Sequence, residues 1–161
     1  MAQLITYRLS RICIVTLLAM LATGVVQPAA GTSLQRFVLA AGANNGGKDR
    51  AALRYAFSDA QHFTQVMEAM GGVAAERSVL LEEPTVGQFF KALSKVKETV
   101  RETRQPGRRV ELILYYSGHA DENGLLMEGD RVAYQNLRDQ LDAVDADVHI
   151  TVLDACASGA I

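Results

Sequence analysis

The chain has 161 residues, of which 49% are hydrophobic and 21% are charged, and its formal net charge is −2. This is the ordinary composition of a single globular domain. The charge excludes the strongly basic surface that nucleic-acid-binding proteins carry, so we expect no nucleic-acid partner.

The first 31 residues have the pattern of a secretory signal peptide. Two arginines precede an uncharged, largely apolar run at residues 12–26, and small residues follow at Ala29 and Gly31. The run is shorter than the roughly 18 apolar residues that a membrane span needs. We therefore expect residues 1–31 to be removed, leaving a secreted or periplasmic protein without a membrane span. An uncleaved N-terminal anchor is the alternative.

The signal segment also takes one of the two cysteines with it, because Cys13 lies in the apolar run. Cys156 is then the single cysteine of residues 32–161, and no intramolecular disulfide can form. Such a leftover thiol is either reactive or buried and inert.

The chain after the signal segment begins with a strand, a loop and a helix. Residues 34–41 predict the strand, and residues 42–50, rich in Gly and Asn, predict the loop. The helix is predicted to begin at Ser58, because Ser58 and Gln61 have the spacing of a capping box. Apolar residues follow at helical spacing until Gly71 ends the helix.

A second strand and a long helix come next. Residues 77–82 predict the strand. Thr85 and Gln88 form another capping box, and the apolar residues behind it mark one face of the helix. Basic residues and the Pro-Gly pair at 106–107 predict its end.

Two apolar runs, at residues 110–116 and 148–153, are typical of strands that are buried on both faces of a parallel sheet. Residues 125–132 between them predict a hairpin, and residues 134–144 predict a helix. This order predicts an α/β fold, a three-layer sandwich with a mainly parallel sheet flanked by helices. No covering helix follows the last strand before Ile161, so we expect the C-terminal part of the domain to be missing.

Polar residues lie at the ends of these two strands, where open α/β sheets carry their sites. The first end has Ser117, Gly118 and His119, and the second has Asp154 and Cys156. Residues two apart in an extended chain point to the same side, so neighbouring strands can bring the imidazole and the thiol together. A nearby His activates a thiolate nucleophile and can protonate a leaving amine. Backbone N–H groups of these turns can stabilise an oxyanion.

The segments Tyr-Tyr-Ser-Gly-His at 115–119 and Leu-Asp-Ala-Cys-Ala-Ser-Gly at 153–159 resemble the motifs of the caspase/metacaspase group of cysteine peptidases. Asp154 stands where caspases proper have Gln, which resembles metacaspases and their bacterial relatives. His119 and Cys156 are also closer together than the about 50 residues usual in caspases.

The resemblance implies a caspase-like peptidase domain over residues 32–161, truncated after the nucleophile motif. It implies an endopeptidase that cleaves proteins or peptides after Arg or Lys. In that family Cys156 would be the nucleophile and His119 the general base and then acid, while Gly118 would help to form the oxyanion hole. An isolated Ser-Gly-His would carry no such implication, since a loop histidine is often structural.

The resemblance also implies that Asp59, Ser117 and Asp154 line the pocket for the basic P1 side chain. Two carboxylates suit a guanidinium, which is bound best by bidentate, charge-assisted hydrogen bonds. Asp59 at a helix start would favour the helix dipole in either case. We expect no cofactor and assign no metal ligands. No acidic cluster indicates the calcium site that many metacaspases have, and calcium dependence and the oligomeric state are left open.

Two further hypotheses belong to other classes of function. Gly42, Gly47 and Lys48 follow a strand and nearly spell a phosphate-binding P-loop, which would make the protein a nucleotide hydrolase. Against it, Asp49 replaces the metal-binding Ser or Thr, and the helix signal comes only at Ser58. The other hypothesis is a non-catalytic binding module that keeps the motifs without turnover.

Overall fold

The computed structural model describes residues 33–155. The predicted signal segment at residues 1–31, Cys156 and the predicted break in the domain near Ile161 lie outside this range. Within residues 33–155, no helix is long and apolar enough to cross a membrane.

Strands and helices follow one another in the order that the sequence predicts. They are β1 (Leu34–Ala43), α1 (Ala56–Ala69), β2 (Ser78–Glu82), α2 (Val86–Thr103), β3 (Arg109–Asp121), β4 (Gly124–Met127), β5 (Asp130–Ala133), α3 (Tyr134–Asp142) and β6 (Val148–Ala155). The turn between β4 and β5 contains Glu128 and Gly129, both with positive φ, as a tight hairpin requires.

The sheet is built around β1 and β3, which pair in parallel over ten residues from Leu34↔Arg109 to Ala43↔Gly118. β2 adds to the other edge of β1 in parallel, and β6 pairs with β3 in parallel. The hairpin of β4 and β5 joins the end of β3 in antiparallel orientation. The predicted α/β class is therefore confirmed, with a mixed and mostly open sheet of six strands flanked by three helices.

The helices cover opposite faces of this sheet, because residues of each central strand contribute alternately to two separate apolar clusters. One cluster contains α1 and includes Val38, Ala40, Ala60, Ile113 and Tyr115. The other contains α2 and α3 and includes Phe37, Leu39, Phe89, Leu93, Leu114, Tyr116, Leu137 and Leu141. Side chains in strands alternate between faces, so this division gives helix, sheet and helix layers.

The two predicted helix starts have different outcomes. At α2 the capping box is confirmed: Gln88 N donates to Thr85 Oγ1 at 3.2 Å, and Thr85 N donates to Gln88 Oε1 at 2.8 Å. At α1 the capping box predicted at Ser58 is wrong, because the helix already begins at Ala56. The Asn44 side chain, distant in sequence, accepts the N–H of Ala56 at 2.9 Å and replaces a local cap.

The burial predicted for the apolar run at 148–153 is wrong for the described part of the chain. Ile150 and Val152 of β6 are 41% and 38% exposed, on the face where α1 covers the neighbouring strands. Ile113, the residue paired with Ile150 on β3, is only 5% exposed. The parallel pairing was predicted correctly, while the covering of the strand depends on elements that the run itself does not specify.

Candidate functional site

The Ser-Gly-His motif lies within β3 and not beyond its end. Sequence analysis predicted a strand that stops at residue 116, but β3 continues to Asp121 because β4 pairs with its last three residues. Extended geometry therefore holds through the motif. Ser117 and His119 share one face of the sheet, as predicted, and that face also carries Tyr115.

The three predicted pocket residues meet at one cavity of about 450 Å³. Ser117 on β3 is paired in register with Asp154 on β6, so their side chains lie side by side on the same face. Asp59 enters from the first turn of α1. The other lining residues are Leu53, Arg54, Tyr55, Ala56, Gly118 and Ala155. The volume is in the range of small-molecule and side-chain binding sites.

The chemistry of the cavity is a pair of carboxylates around one buried hydroxyl. Ser117 is 4% exposed, whereas Asp154 is open to solvent. Arg54 at the rim supplies one positive charge against the two carboxylates, which leaves the cavity acidic. Such a cavity favours a cationic group that donates several hydrogen bonds.

Tyr115 lies next to the lining residue Asp154, a contact that was not predicted from the sequence. Its ring stacks on Phe63 of α1, with centroids 4.3 Å apart, and its hydroxyl lies 3.5 Å from Asp154 Oδ2. Burial raises the pKa of Tyr115, and the nearby charges of Asp154 and Asp59 raise it further. The i−2 spacing to Ser117 was the available signal, because it places both side chains on one face of the strand.

His119 is held by the loop that follows β1, which we call the 44–55 loop after its residues. The imidazole Nε2 lies 3.0 Å from the carbonyl oxygen of Ala51. A carbonyl only accepts hydrogen bonds, so this contact assigns the proton of a neutral ring to Nε2 and leaves Nδ1 as the basic nitrogen. Gly46 packs against the ring so closely that a Cβ there would overlap the imidazole carbons.

Gly118 separates Ser117 from His119 on the opposite face of β3. A Cβ at this position would overlap the hydroxyl of Tyr116 and approach the carbonyl of Ala43, so only glycine fits. The Tyr116 hydroxyl itself lies 2.7 Å from Leu126 O and 2.9 Å from His119 O. It thereby ties the backbone of the motif to β4.

Cys156 lies outside the described residues. The paired register of β3 and β6 ends with Ser117↔Asp154 and Gly118↔Ala155. In the sequence, His119 follows Gly118 and Cys156 follows Ala155.

The described residues contain no cluster of three His, Cys, Asp or Glu side chains that could hold a metal ion. A larger groove of about 760 Å³ lies at the opposite end of the sheet, lined by residues 104–109 and the start of β6. It carries no nucleophile, and Arg104 in it is already paired with Asp145 and Asp147. We therefore assign the candidate site to the cavity beside Ser117.

The geometry of the 44–55 loop disagrees with a P-loop. α1 begins at Ala56 and not at Lys48, so the glycine-rich segment does not run directly into a helix as a P-loop does. The backbone N–H groups of Asn44 and Asn45, which would have to cradle a phosphate, instead donate to the carboxylate of Glu83. An anion cannot bind where a protein carboxylate already occupies the donors.

No protein-family model matches the chain, and no curated protein matches it.

Proposed function

We propose that this protein is a caspase-like cysteine endopeptidase of the metacaspase kind, which cleaves peptide bonds after Arg or Lys. Cys156 is the nucleophile, and His119 is the general base and then the general acid. The proposal includes the caspase type of three-layer fold and export to the periplasm or beyond by the segment at residues 1–31.

The observation that carries the proposal is the register of β3 and β6. It aligns Ser117 with Asp154 and Gly118 with Ala155, so the strand that carries the Ser-Gly-His motif lies beside the strand that leads into the Asp-Ala-Cys motif.

The reaction has two halves, formation of a thioester on Cys156 and its hydrolysis, and His119 transfers protons in both. Nδ1 of His119 takes the thiol proton, and Sγ of Cys156 attacks the scissile carbonyl carbon, whose π electrons move to oxygen. A backbone N–H at Gly118 or Cys156 stabilises that oxyanion. The carbon–nitrogen bond then breaks as the imidazolium protonates the leaving amine, which leaves a thioester. Water, deprotonated by His119, hydrolyses the thioester and restores the thiol.

The cavity supports specificity for a basic P1 side chain. Asp59 and Asp154 line it from two elements, and Ser117 lies between their elements on β3. A guanidinium can bridge two carboxylates with parallel charge-assisted hydrogen bonds, and a Lys ammonium can bind the same groups more weakly. An acidic P1 side chain would be repelled.

The test is covalent labelling of the full 161-residue chain with an arginine chloromethyl ketone, read by intact mass spectrometry. The thiolate displaces chloride and forms a thioether, and peptide mapping distinguishes Cys156 from Cys13. We expect one adduct on Cys156, no adduct on the Cys156→Ala variant, and weak labelling by the aspartate analogue. Hydrolysis of Arg and Asp peptide amides is measured in parallel.

Circular dichroism confirms that every labelled sample is folded. A folded chain that takes up no arginine reagent, or takes up both reagents equally, contradicts the proposal. The first of these outcomes would favour the non-catalytic binding module.

A further inference from the structure

Glu83 has an unusual backbone conformation at the point where β2 ends. Its φ of 43° lies in the left-handed region, which a residue with a long side chain seldom adopts. Its N–H donates to the carbonyl of Gly42 on the neighbouring strand β1 at 2.9 Å. Backbone strain of this kind persists where surrounding contacts compensate for it, and it clusters at functional sites.

The compensating contacts are made by the carboxylate of Glu83. Oε1 accepts the N–H of Asn44 at 2.7 Å, and Oε2 accepts the N–H of Asn45 at 3.1 Å. A carboxylate bound to two consecutive amides forms strong, charge-assisted hydrogen bonds. Glu83 thus fastens the first two residues of the 44–55 loop to the end of β2.

The two fastened residues control the rest of the loop. The carbonyl of Asn44 accepts the N–H of Leu53, and its side chain accepts the N–H of Ala56 at the start of α1. The carbonyl of Asn45 accepts the N–H of Glu128 in the hairpin turn. Fixing the start of the loop therefore also fixes its end and its position against the hairpin.

We infer that Glu83 is a positioning residue for His119. The carboxylate holds the loop, and the loop holds the ring through the carbonyl of Ala51 and the close packing of Gly46. Glu83 thereby keeps the neutral imidazole in the tautomer whose basic nitrogen is Nδ1. The functional consequence rests on the proposed peptidase activity, in which that nitrogen takes the thiol proton.

The test compares Glu83→Gln and Glu83→Ala with Glu82→Gln in the full chain. Glu82 is an exposed neighbour with the same charge and no side-chain hydrogen bond in the described part of the chain, so it is a matched control. The chain has three histidines, so the ring nitrogens of His119 can be observed by ¹⁵N NMR against the other two. We expect wild type and Glu82→Gln to show the Nε2–H tautomer at His119.

In Glu83→Ala we expect a mixture of both tautomers at His119 and unchanged signals from His62 and His149. Glu83→Gln keeps one acceptor without the charge. Its His119 tautomer populations should therefore change in the same direction as in Glu83→Ala, but by less. Peptide hydrolysis should fall by about tenfold to a hundredfold in kcat/KM, because the base is misplaced and the loosened loop also carries Leu53, Arg54 and Tyr55 of the cavity.

A folded Glu83→Ala or Glu83→Gln chain with the wild-type tautomer at His119 overturns the inference. If Glu83→Ala does not fold, Glu83→Gln decides alone. The tautomer is read without substrate, so a wild-type chain that hydrolyses nothing would contradict the proposed activity and leave the positioning test intact.

Discussion

Two glycines near the candidate site matter because neighbouring groups occupy the space that a side chain would fill. Gly118 lets the hydroxyl of Tyr116 reach the carbonyls of His119 and Leu126, which fixes the backbone of the motif. Burial raises the pKa of Tyr116, so this hydroxyl stays protonated and remains a donor. Gly46 contacts the His119 ring directly and shapes the space in which the ring sits.

We predict that Gly46→Ala impairs the proposed activity without unfolding the protein. A methyl group at this position would lie 2.5 Å from His119 Cγ, so the ring or the loop must move. A shift of about 1 Å in a catalytic group can cost about a hundredfold in rate. Hydrolysis of an arginine peptide amide and the ring signals of His119 measure the effect.

Gly87→Ala is the control for this prediction. A methyl group there makes an ordinary contact, 3.9 Å from Thr85 Oγ1, in the first turn of α2. It should leave activity unchanged, since the added Cβ has no other contact within 4 Å. Equal loss of activity in both variants would show that the close packing of Gly46 has no special role.

At the scale of secondary-structure elements, the exposed carboxylate of Asp147 joins α2, β3 and β6. Asp147, just before β6, accepts the N–H of Val110 at the start of β3 at 2.7 Å. The same carboxylate accepts a hydrogen bond of 2.7 Å from Nη2 of Arg104, the residue that caps the end of α2. Both hydrogen bonds lower the pKa of Asp147, and the backbone bond from Val110 has a larger effect than the side-chain bond from Arg104. The Asp147 side chain is 38% exposed, so solvent and salt weaken the ion pair with Arg104.

This junction predicts a pH dependence of stability. Because the folded pKa of Asp147 lies below its ordinary value of 3.8, the stabilisation is complete above that value. It decreases as the pH falls and is lost once the pH passes below the lowered folded pKa. Asp147→Asn should therefore lower the urea midpoint at pH 7, and the difference from wild type should shrink at pH 3.

Urea unfolding at both pH values, with the mutant and wild type side by side, measures this difference. Asp145→Asn is the control, because that carboxylate contacts Arg104 but accepts no backbone N–H from β3. A gap between Asp147→Asn and wild type that is constant from pH 7 to pH 3 would contradict the assignment.

At the scale of the whole molecule, the helices cover the sheet unevenly. β1 and β3 are buried between α1 on one face and α2 with α3 on the other. β6 pairs with β3 on one edge, and within residues 33–155 no residue of β6 is fully buried. An apolar strand with an open edge is a template for association between chains.

We predict that substitution by Lys reduces aggregation at one position and destabilises the fold at the position paired with it. Ile150→Lys on β6 places a charge on an exposed edge, so it should raise the concentration at which the protein aggregates and change stability by less than about 1 kcal/mol. Ile113→Lys, its paired neighbour on β3, buries an unpaired charge and should destabilise the fold by about 4 kcal/mol or more.

Light scattering at increasing protein concentration and thermal unfolding separate these effects. A well-folded Ile113→Lys variant would mean that α1 does not cover β3 as described. Aggregation of Ile150→Lys at wild-type concentrations would mean that β6 is not the associating edge.

Much of this molecule follows from short-range patterns. The capping box at Thr85 and Gln88, the apolar face of α2 and the strand signal at residues 110–116 all depend on residues within a turn or two of one another. Such contacts form from the local chain, so the sequence alone predicted the order of elements and the α/β class. The resemblance of the motifs also brought Asp59, Ser117 and Asp154 to one predicted site.

Other features were decided only by tertiary structure, because they join residues far apart in the chain. α1 begins two residues before the predicted Ser58, since Asn44 and not a neighbouring side chain caps it. The carboxylate of Glu83 and the carbonyl of Ala51 act on the loop and on His119 only after β1, β2 and β3 have paired. The apolar run of β6 specified a strand, but whether other elements cover a strand depends on packing that no local pattern encodes.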